Sequence, residues 1–548
     1  MGPKLDVLIK NGFVVDGSGS PWYRADVGVN QGRFCEIGKL RAIEAELKID
    51  TEGLAVAPGF IDIHVHSDYT LLADPKAESA VAQGITTDFN GQCGGTPAPA
   101  IDGAIDPIKR ALGEYGLELT WSSMDEYLTH LQKQRPSINA ATMVGHGTIR
   151  ACAMRYAGRP PSNDELGKMK GLLRKSMEEG CYGLSTGLVY PPGIYSTTDE
   201  LIELCKVVAD YGGLYATHVR GQGDQFLDAV AEAIEIGEGA EVPVQLSHHS
   251  PNPGNFGKTK TSMEMMRKAR ERGVDVTCDL HSFHWGSTTL TVVLPPWAHE
   301  GGRDKMLERL RSKDVREKLK KDILGALEWP RVSPAIHAKA RSWSKILIEE
   351  AENRELTGKS IEEIARKRGK DPFDALFDVI VEEKGQVSCV YEAYSEEDRR
   401  NVLSTPLSMI STDGSAIAPH GPTARGKPHP KSYGTFPMIF RKYVRGESRA
   451  DLTGDAGTKL LTLEEAVRKM TSMAATRIGL QDRGLIKPGF WADAVIFDPH
   501  RISDKGTYFQ GDLYPEGIEY VLVNGTITME KGRHTGARAG RVLRFKPR

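Results

Sequence analysis

Pro58-Gly59-Phe60-Ile61-Asp62-Ile63-His64-Val65-His66-Ser67-Asp68 is the stretch whose reading decides the fold. A Pro-Gly turn launches an apolar run, residues 60–65, with the length and β-branched content of a buried strand. His64 and His66 fall two apart near its end. On a strand such residues share a face, so both imidazoles are expected to aim at one point. In a parallel barrel that point is the mouth at the carboxyl ends of the strands. A lone His-x-His is a common accident. Its weight comes from partners further along the chain.

Those partners sit in an alternating pattern. Residues 141–146, 182–185, 213–218, 242–248, 274–279 and 407–413 are strand-like. Helices are expected between them. One runs over 162–179 with Ser162 or Asn163 as cap and Gly180 past its end. Another opens with Thr197 and Glu200 as a capping box, and two more cover 224–236 and 262–272. This many strand–helix units predicts a closed (β/α)8 TIM barrel over residues 58–480. Residues 5–56 read as short strands with hairpin turns at Asn11-Gly12 and Asp16-Gly17. Residues 492–498 and 520–525 read the same way, so 1–57 and 481–548 are expected to form one small β-sandwich domain. Residues 299–375 are charged and mostly helical with no strand signal. They predict a helical insertion, either over the barrel mouth or peripheral to it, with the barrel resuming near 386–390.

Composition narrows the function classes. The chain has 548 residues, 39% hydrophobic and 26% charged, with a formal net charge of −2 and basic residues spread along its length. Nothing in it suggests nucleic acid or an acidic membrane surface. No apolar run approaches the roughly 20 residues that span a bilayer, and residues 1–6 lack the apolar core of a secretory signal. The seven cysteines are odd in number and scattered, which fits a reducing, cytoplasmic setting with free thiols. The expected partner is a small molecule, and the composition is compatible with a homo-oligomer.

Five of the strand ends carry a metal-type residue: His64 and His66, then Cys93, His218, His248 and Asp413. Imidazole and thiolate are the ligands zinc prefers, and three protein ligands with an open position make the catalytic pattern. Further stretches accompany them: 90–94 (NGQCG), 144–148 (VGHGT), 183–193 (GLSTGLVYPPG), His218-Val219-Arg220, Ser247-His248-His249, 411–414 (STDG) and 429–437 (HPKSYGTFP). On these motifs the chain resembles the amidohydrolase superfamily, in particular the D-aminoacylase (N-acyl-D-amino-acid deacylase) family, from about residue 5 to the end.

The resemblance implies hydrolysis of the amide bond of N-acyl-D-amino acids by zinc-activated water. By position, Cys93, His218 and His248 match the ligands of a tightly held zinc. His64, His66 and Asp413 match a second, weaker metal position, and Asp413 also matches the catalytic acid/base. Many two-metal relatives bridge their ions with a carboxylated Lys at the fourth strand. Here that region is Tyr182-Gly183-Leu184-Ser185, and a Cys93 thiolate can fill the gap. A substrate carboxylate needs cations or a cluster of donors. Arg220, Arg425 and Lys431 are candidates, Tyr190 and His281 are placed near the substrate, and His146 and His249 are placed behind the ligands as orienters. Relatives acting on acidic D-amino acids carry Lys where this chain has Ser250, so acidic side chains are disfavoured and neutral or hydrophobic ones expected. His281, Phe283 and Trp285 depart from the family's Asp-x-Tyr-Pro-Tyr pattern and suggest added apolar area, or an aromatic amide substrate. The alternatives are a cyclic-amide hydrolase of the hydantoinase or dihydroorotase kind and a metal-free scaffold.

Overall fold

The computed structural model describes residues 4–40, 43–325, 329, 331–452 and 454–546. Met1 to Pro3 of the amino end, and residues 326–328 and 330 of the expected insertion, lie outside the described residues.

Eight short parallel strands surround the centre: Phe60–Asp62, Ile85–Asn90, Asn139–Thr142 continued by Val144–Gly145, Gly183–Gly187, Leu214–His218, Val244–Leu246, Val276–Leu280 and Ser408–Ile410. They pair in sequence order. The third strand breaks at Met143: its first part pairs with the second strand and its last two residues with the fourth. The ring closes between the eighth strand and the first without a regular ladder. Thr412 donates its N–H and hydroxyl to the Asp62 carboxylate, the Asp413 N–H bonds the His64 carbonyl at 2.9 Å, and the His66 N–H bonds the Gly414 carbonyl at 2.7 Å. Burial pushes the Asp62 carboxyl up to about 7 despite these donors.

The helices lie outside the ring. Asn163–Glu178 is capped by Ser162, whose hydroxyl and backbone exchange bonds with Glu165. At Thr198–Asp210 the expected reciprocal box is only half present. The Thr197 hydroxyl accepts from the Glu200 N–H, but the Glu200 carboxylate turns inward to His146 and Arg150.

Both chain ends build one connected nine-stranded sheet. Its strand Leu5–Val14 runs straight through Asn11-Gly12, where a register shift and a left-handed Asn11 (φ 64°) mark a bulge rather than the expected hairpin turn. Along one edge this strand pairs first with Ala45–Asp50 and then with Ala55–Pro58. The sheet therefore opens into two leaves around Val7, Ile9, Val27, Phe34, Ile496 and Leu522.

The insertion departs from the expectation of helices alone. It contains the strand Ile346–Glu350, which forms an antiparallel sheet with Trp285–Thr289 and Ser388–Glu392. Residues 386–390 therefore belong to the insertion and not to the barrel. β-Branched and aromatic residues in 346–350 and 388–392 are partnered only across the insertion, so their strand character is not visible as barrel rhythm. The unit has its own core, including Leu310, Ile346, Phe377 and Tyr391.

Candidate metal centre

The strand Phe60–Asp62 ends before either histidine, so the alternating-face argument does not itself orient them. The chain bends at Ile63 and His64, and the closing bonds to Asp413 and Gly414 hold it so that both imidazoles still meet at one point. His64 Nε2 and His66 Nε2 lie 3.4 and 3.3 Å from Asp413 Oδ1. Cys93 Sγ lies 3.5 Å from His64 Nε2, 3.8 Å from His218 Nδ1 and 3.8 Å from His248 Nε2. Zinc bonds of about 2.3 Å to sulfur and about 2.0–2.1 Å to nitrogen put tetrahedral ligands roughly 3.6 Å apart. The spacing therefore fits a divalent ion. Among the described residues two groups lie close enough to share an ion, His64–Cys93–His248 and His64–His66–Asp413. His64 therefore joins the thiolate side where His218 was expected, while His218 meets the cluster at Cys93.

Backbone strain supports the cluster. Cys93, His248 and Asp413 all adopt left-handed conformations, with φ of 52°, 35° and 49°. Such conformations cost about 1–3 kcal/mol in a non-glycine residue and collect at functional sites. The Cys93 loop is laid across the barrel mouth by close approach. A Cβ on Gly187 would lie 2.2 Å from the Cys93 carbonyl oxygen, and one on Gly145 would lie 2.4 Å from that of Gly94. The Gly94 N–H bonds Ser185 Oγ at 3.1 Å. The fourth strand thus supports the thiol loop.

Burial opposes ionisation of Cys93, but the facing His64, His218 and His248 outweigh it and hold the thiol well below its ordinary range. Burial likewise opposes the Asp413 carboxylate, and Lys431, whose Nζ lies 2.8 Å from Oδ2, leads the groups that hold it well below the usual value. Asp279, at the end of the seventh strand, is wholly buried behind the ligands. It accepts from the His248 N–H at 2.9 Å, Ser411 Oγ at 2.8 Å and Gln245 Nε2 at 2.8 Å, and its Oδ1 faces His64 Nδ1 at 3.9 Å.

Two cavities of about 360 Å³ each meet at His66, Cys93 and Tyr190. One is lined by Asp413, Lys431, Tyr391, Tyr394 and Glu349. The other is more apolar, lined by Pro107, Ile108, Ala151 and Tyr156. A wider cleft of about 1180 Å³ opens at the opposite ends of the strands, by Leu214, Pro243 and Leu407, and holds none of the metal-type residues.

A family model described as the amidohydrolase family matches residues 48–529. The chain belongs to that family. A D-aminoacylase of Alcaligenes xylosoxydans xylosoxydans is 34% identical over 540 residues, covering 98% of this chain and 97% of that protein. An N-acyl-D-glutamate deacylase of the same organism is 34% identical over 547 residues, covering 99% and 97%. A solved N-acyl-D-glutamate deacylase from Bordetella bronchiseptica, complexed with zinc and a phosphonate mimic of the tetrahedral intermediate, aligns with a TM-score of 0.82 at 31% identity over 99% of this chain and 100% of that one.

Around the centre of this amidohydrolase the other sequence candidates divide. Tyr190 lines both cavities, its ring edge-on to His218 at 5.2 Å and its hydroxyl 2.9 Å from Thr288 Oγ1. Lys431 lines the cavity that contains Asp413. Arg220 and Arg425 do not reach it. Arg220 is gripped by the Glu232 carboxylate at 2.8–3.1 Å, and Arg425 is held by Glu350 and the Glu114 carbonyl. Each guanidinium finds a carboxylate in its own neighbourhood and has no need of a substrate's. His281 is buried beneath Asp413, its Nε2 3.9 Å from Oδ2, rather than at the cavity wall. His146 bonds Glu200 at 2.8 Å and His249 bonds Ser262 at 2.8 Å, so neither orients a ligand through a side-chain hydrogen bond. Phe283 and Trp285 pack on Tyr508 and are absent from the cavity walls. Tyr391 and Tyr394 join Tyr190 as aromatic walls of the cavity that contains Asp413, and sequence reasoning missed both because it placed 386–390 in the barrel rather than in the insertion's sheet.

Proposed function

We propose that this amidohydrolase cleaves N-acyl-D-amino acids to a carboxylic acid and a free D-amino acid. The observation that carries the reading is Asp413, poised between Lys431 on one oxygen and the His64–His66 pair on the other, at the wall of a cavity that includes Cys93, His218 and His248. Cys93, His218 and His248 would hold a zinc ion, with a weaker position toward His64, His66 and Asp413; bound there, it would acidify water to a pKa near 7 and polarise the amide carbonyl.

The chain's own residues do the rest. Asp413, kept ionised by Lys431, takes the proton of the attacking water and passes it to the leaving amine. Such positioned proton transfer is worth about 10² to 10⁴ in rate. The amine half occupies the cavity that Asp413 lines, and the acyl group occupies the apolar cavity of Ile108 and Ala151. Tyr190, at the junction, donates its hydroxyl toward the substrate, and Lys431 is the cation nearest a substrate carboxylate. Ser250 is buried with its hydroxyl on the Pro251 carbonyl, which supplies no charge for an acidic side chain.

The test is a panel of N-acetyl D- and L-amino acids with the zinc-loaded protein, reading amine release. Turnover of D-substrates with little of the L-series is expected. Release from hydantoins but from no linear amide would overturn the reading in favour of a cyclic-amide hydrolase.

A further inference from the structure

Glu349 is the one side chain at the amine-half cavity whose charge the proposed chemistry does not use. It stands on the insertion strand Ile346–Glu350, is half-buried, and faces the same cavity as Asp413 and His218. Its position is fixed from two sides. Ser287 Oγ donates to Oε2, and the His429 N–H donates to Oε1 at 3.0 Å. Both neighbours lead to the reaction centre. Thr288, next to Ser287, bonds the Tyr190 hydroxyl, and Lys431, two residues beyond His429, bonds Asp413.

Glu349 has no Lys, Arg or His ion-pair partner among the described residues. Lys431 is the one lysine or arginine among the described residues lining this cavity, and its Nζ is on Asp413. A carboxylate with two oxygens keeps acceptor capacity after two donors have bound. The wall beside it is formed by Tyr391, with Thr288 and Thr289, which suits the methylene stem of a long side chain below a charged tip.

We propose that Glu349 is a specificity-determining residue that selects substrates whose amino-acid side chain ends in a cation or a strong N–H donor, as in N-acyl-D-lysine and N-acyl-D-arginine. The inference rests on the proposed deacylation. Because Asp413 protonates the leaving amine, the amine half and its side chain enter the cavity that Asp413 and Glu349 share. An acidic side chain there meets Glu349 as a like charge, and an apolar one leaves it solvated and indifferent.

The test compares kcat/KM for N-acetyl-D-lysine, N-acetyl-D-methionine and N-acetyl-D-glutamate in the wild-type protein and Glu349→Gln. Wild type is expected to favour the lysine substrate over the glutamate one by at least about 100-fold. Glu349→Gln, which keeps the size and one acceptor oxygen, is expected to cut that ratio at least about tenfold, mainly through KM, while the methionine substrate changes little. An equal loss on all three substrates would mean that Glu349 only braces the insertion, and an unchanged ratio would equally overturn the assignment. If no N-acetyl-D-amino acid is cleaved by wild type, the deacylase reading itself fails, an outcome separate from either of these.

Discussion

Lys431 Nζ lies 2.8 Å from Asp413 Oδ2, while the opposite oxygen, Oδ1, faces the Nε2 atoms of His64 and His66. The carboxylate is thus divided between an ammonium and two imidazoles, which outweigh the opposing effect of burial and hold Asp413 well below its ordinary pKa. Without Lys431, the largest group holding Asp413 ionised is lost, and its pKa rises. Lys431→Met is therefore expected to lower kcat/KM about 10- to 100-fold at neutral pH and to move the acid limb of the pH–rate profile upward. A profile that drops in height with its acid limb unmoved would remove Lys431 from this role.

Asp413→Ala deletes the proton carrier but leaves Cys93, His218 and His248 in place. Turnover is expected to fall by about 10² to 10⁴, with zinc retained at the Cys93 side. Metal content and single-turnover amine release, measured on one preparation, check the pair of outcomes. Full activity in this variant would exclude Asp413 from the chemistry.

Cys93→Ser replaces a thiolate beside three imidazole nitrogens with a hydroxyl that stays protonated at neutral pH. Zinc binding is expected to weaken by several orders of magnitude, since the soft anionic ligand is lost. Elemental analysis after dialysis against a chelator reads this directly. Zinc retained as in wild type would place the ion elsewhere.

Glu200 is buried, with Oε1 3.1 Å from Arg150 Nε and 2.8 Å from His146 Nε2. Arg150 has no exposed surface. Glu200→Ala strands a buried cation, which typically costs about 3–5 kcal/mol, whereas Glu200→Gln keeps a hydrogen-bond acceptor and is expected to cost less. These three side chains line neither cavity, although Gly147 and Ala151 beside them do, so the loss is expected chiefly in the unfolding midpoint.

Glu396 links elements by bonds to Lys442 Nζ at 2.8 Å and Tyr443 Oη at 3.2 Å, with His284 Nε2 at 3.4 Å. Burial raises its pKa, yet His284 and Lys442 bring it down to about 2 from an ordinary 4.5. A carboxylate depressed in the folded state stabilises fully above its unfolded pKa and loses that contribution as pH falls through the folded value. The stability gap between wild type and Glu396→Gln, roughly 2–3 kcal/mol at neutral pH, is expected to close between pH 4.5 and about 2. Thermal midpoints recorded across that window test the sign.

The barrel was legible because its strands are buried on both faces and read as apolar runs between capped helices. The ligand positions were legible because histidine, cysteine and aspartate stand at the ends of those runs. Other parts were not. The left-handed φ of Cys93, His248 and Asp413 leaves no mark on residue type, although a glycine follows two of them. Arg220 and Arg425 look free in sequence, but their partners Glu232 and Glu350 come close only through the fold. Asp279 was read as part of a strand, and its role behind His64 and His248 is set by tertiary contacts. Glu349 lies in a segment without barrel rhythm, and Tyr391 and Tyr394 follow a strand that reads as barrel but pairs within the insertion, so nothing local connected them to the mouth.

The insertion has a hydrophobic core of its own, yet all three strands of its small sheet bring residues to the mouth. Recognition of the substrate side chain by Glu349 and Tyr391 therefore resides on the insertion, while the reacting groups, Tyr190 and Lys431 belong to the barrel. Exchanging that unit between homologous enzymes should transfer substrate preference as a cartridge while the bond-breaking apparatus stays behind.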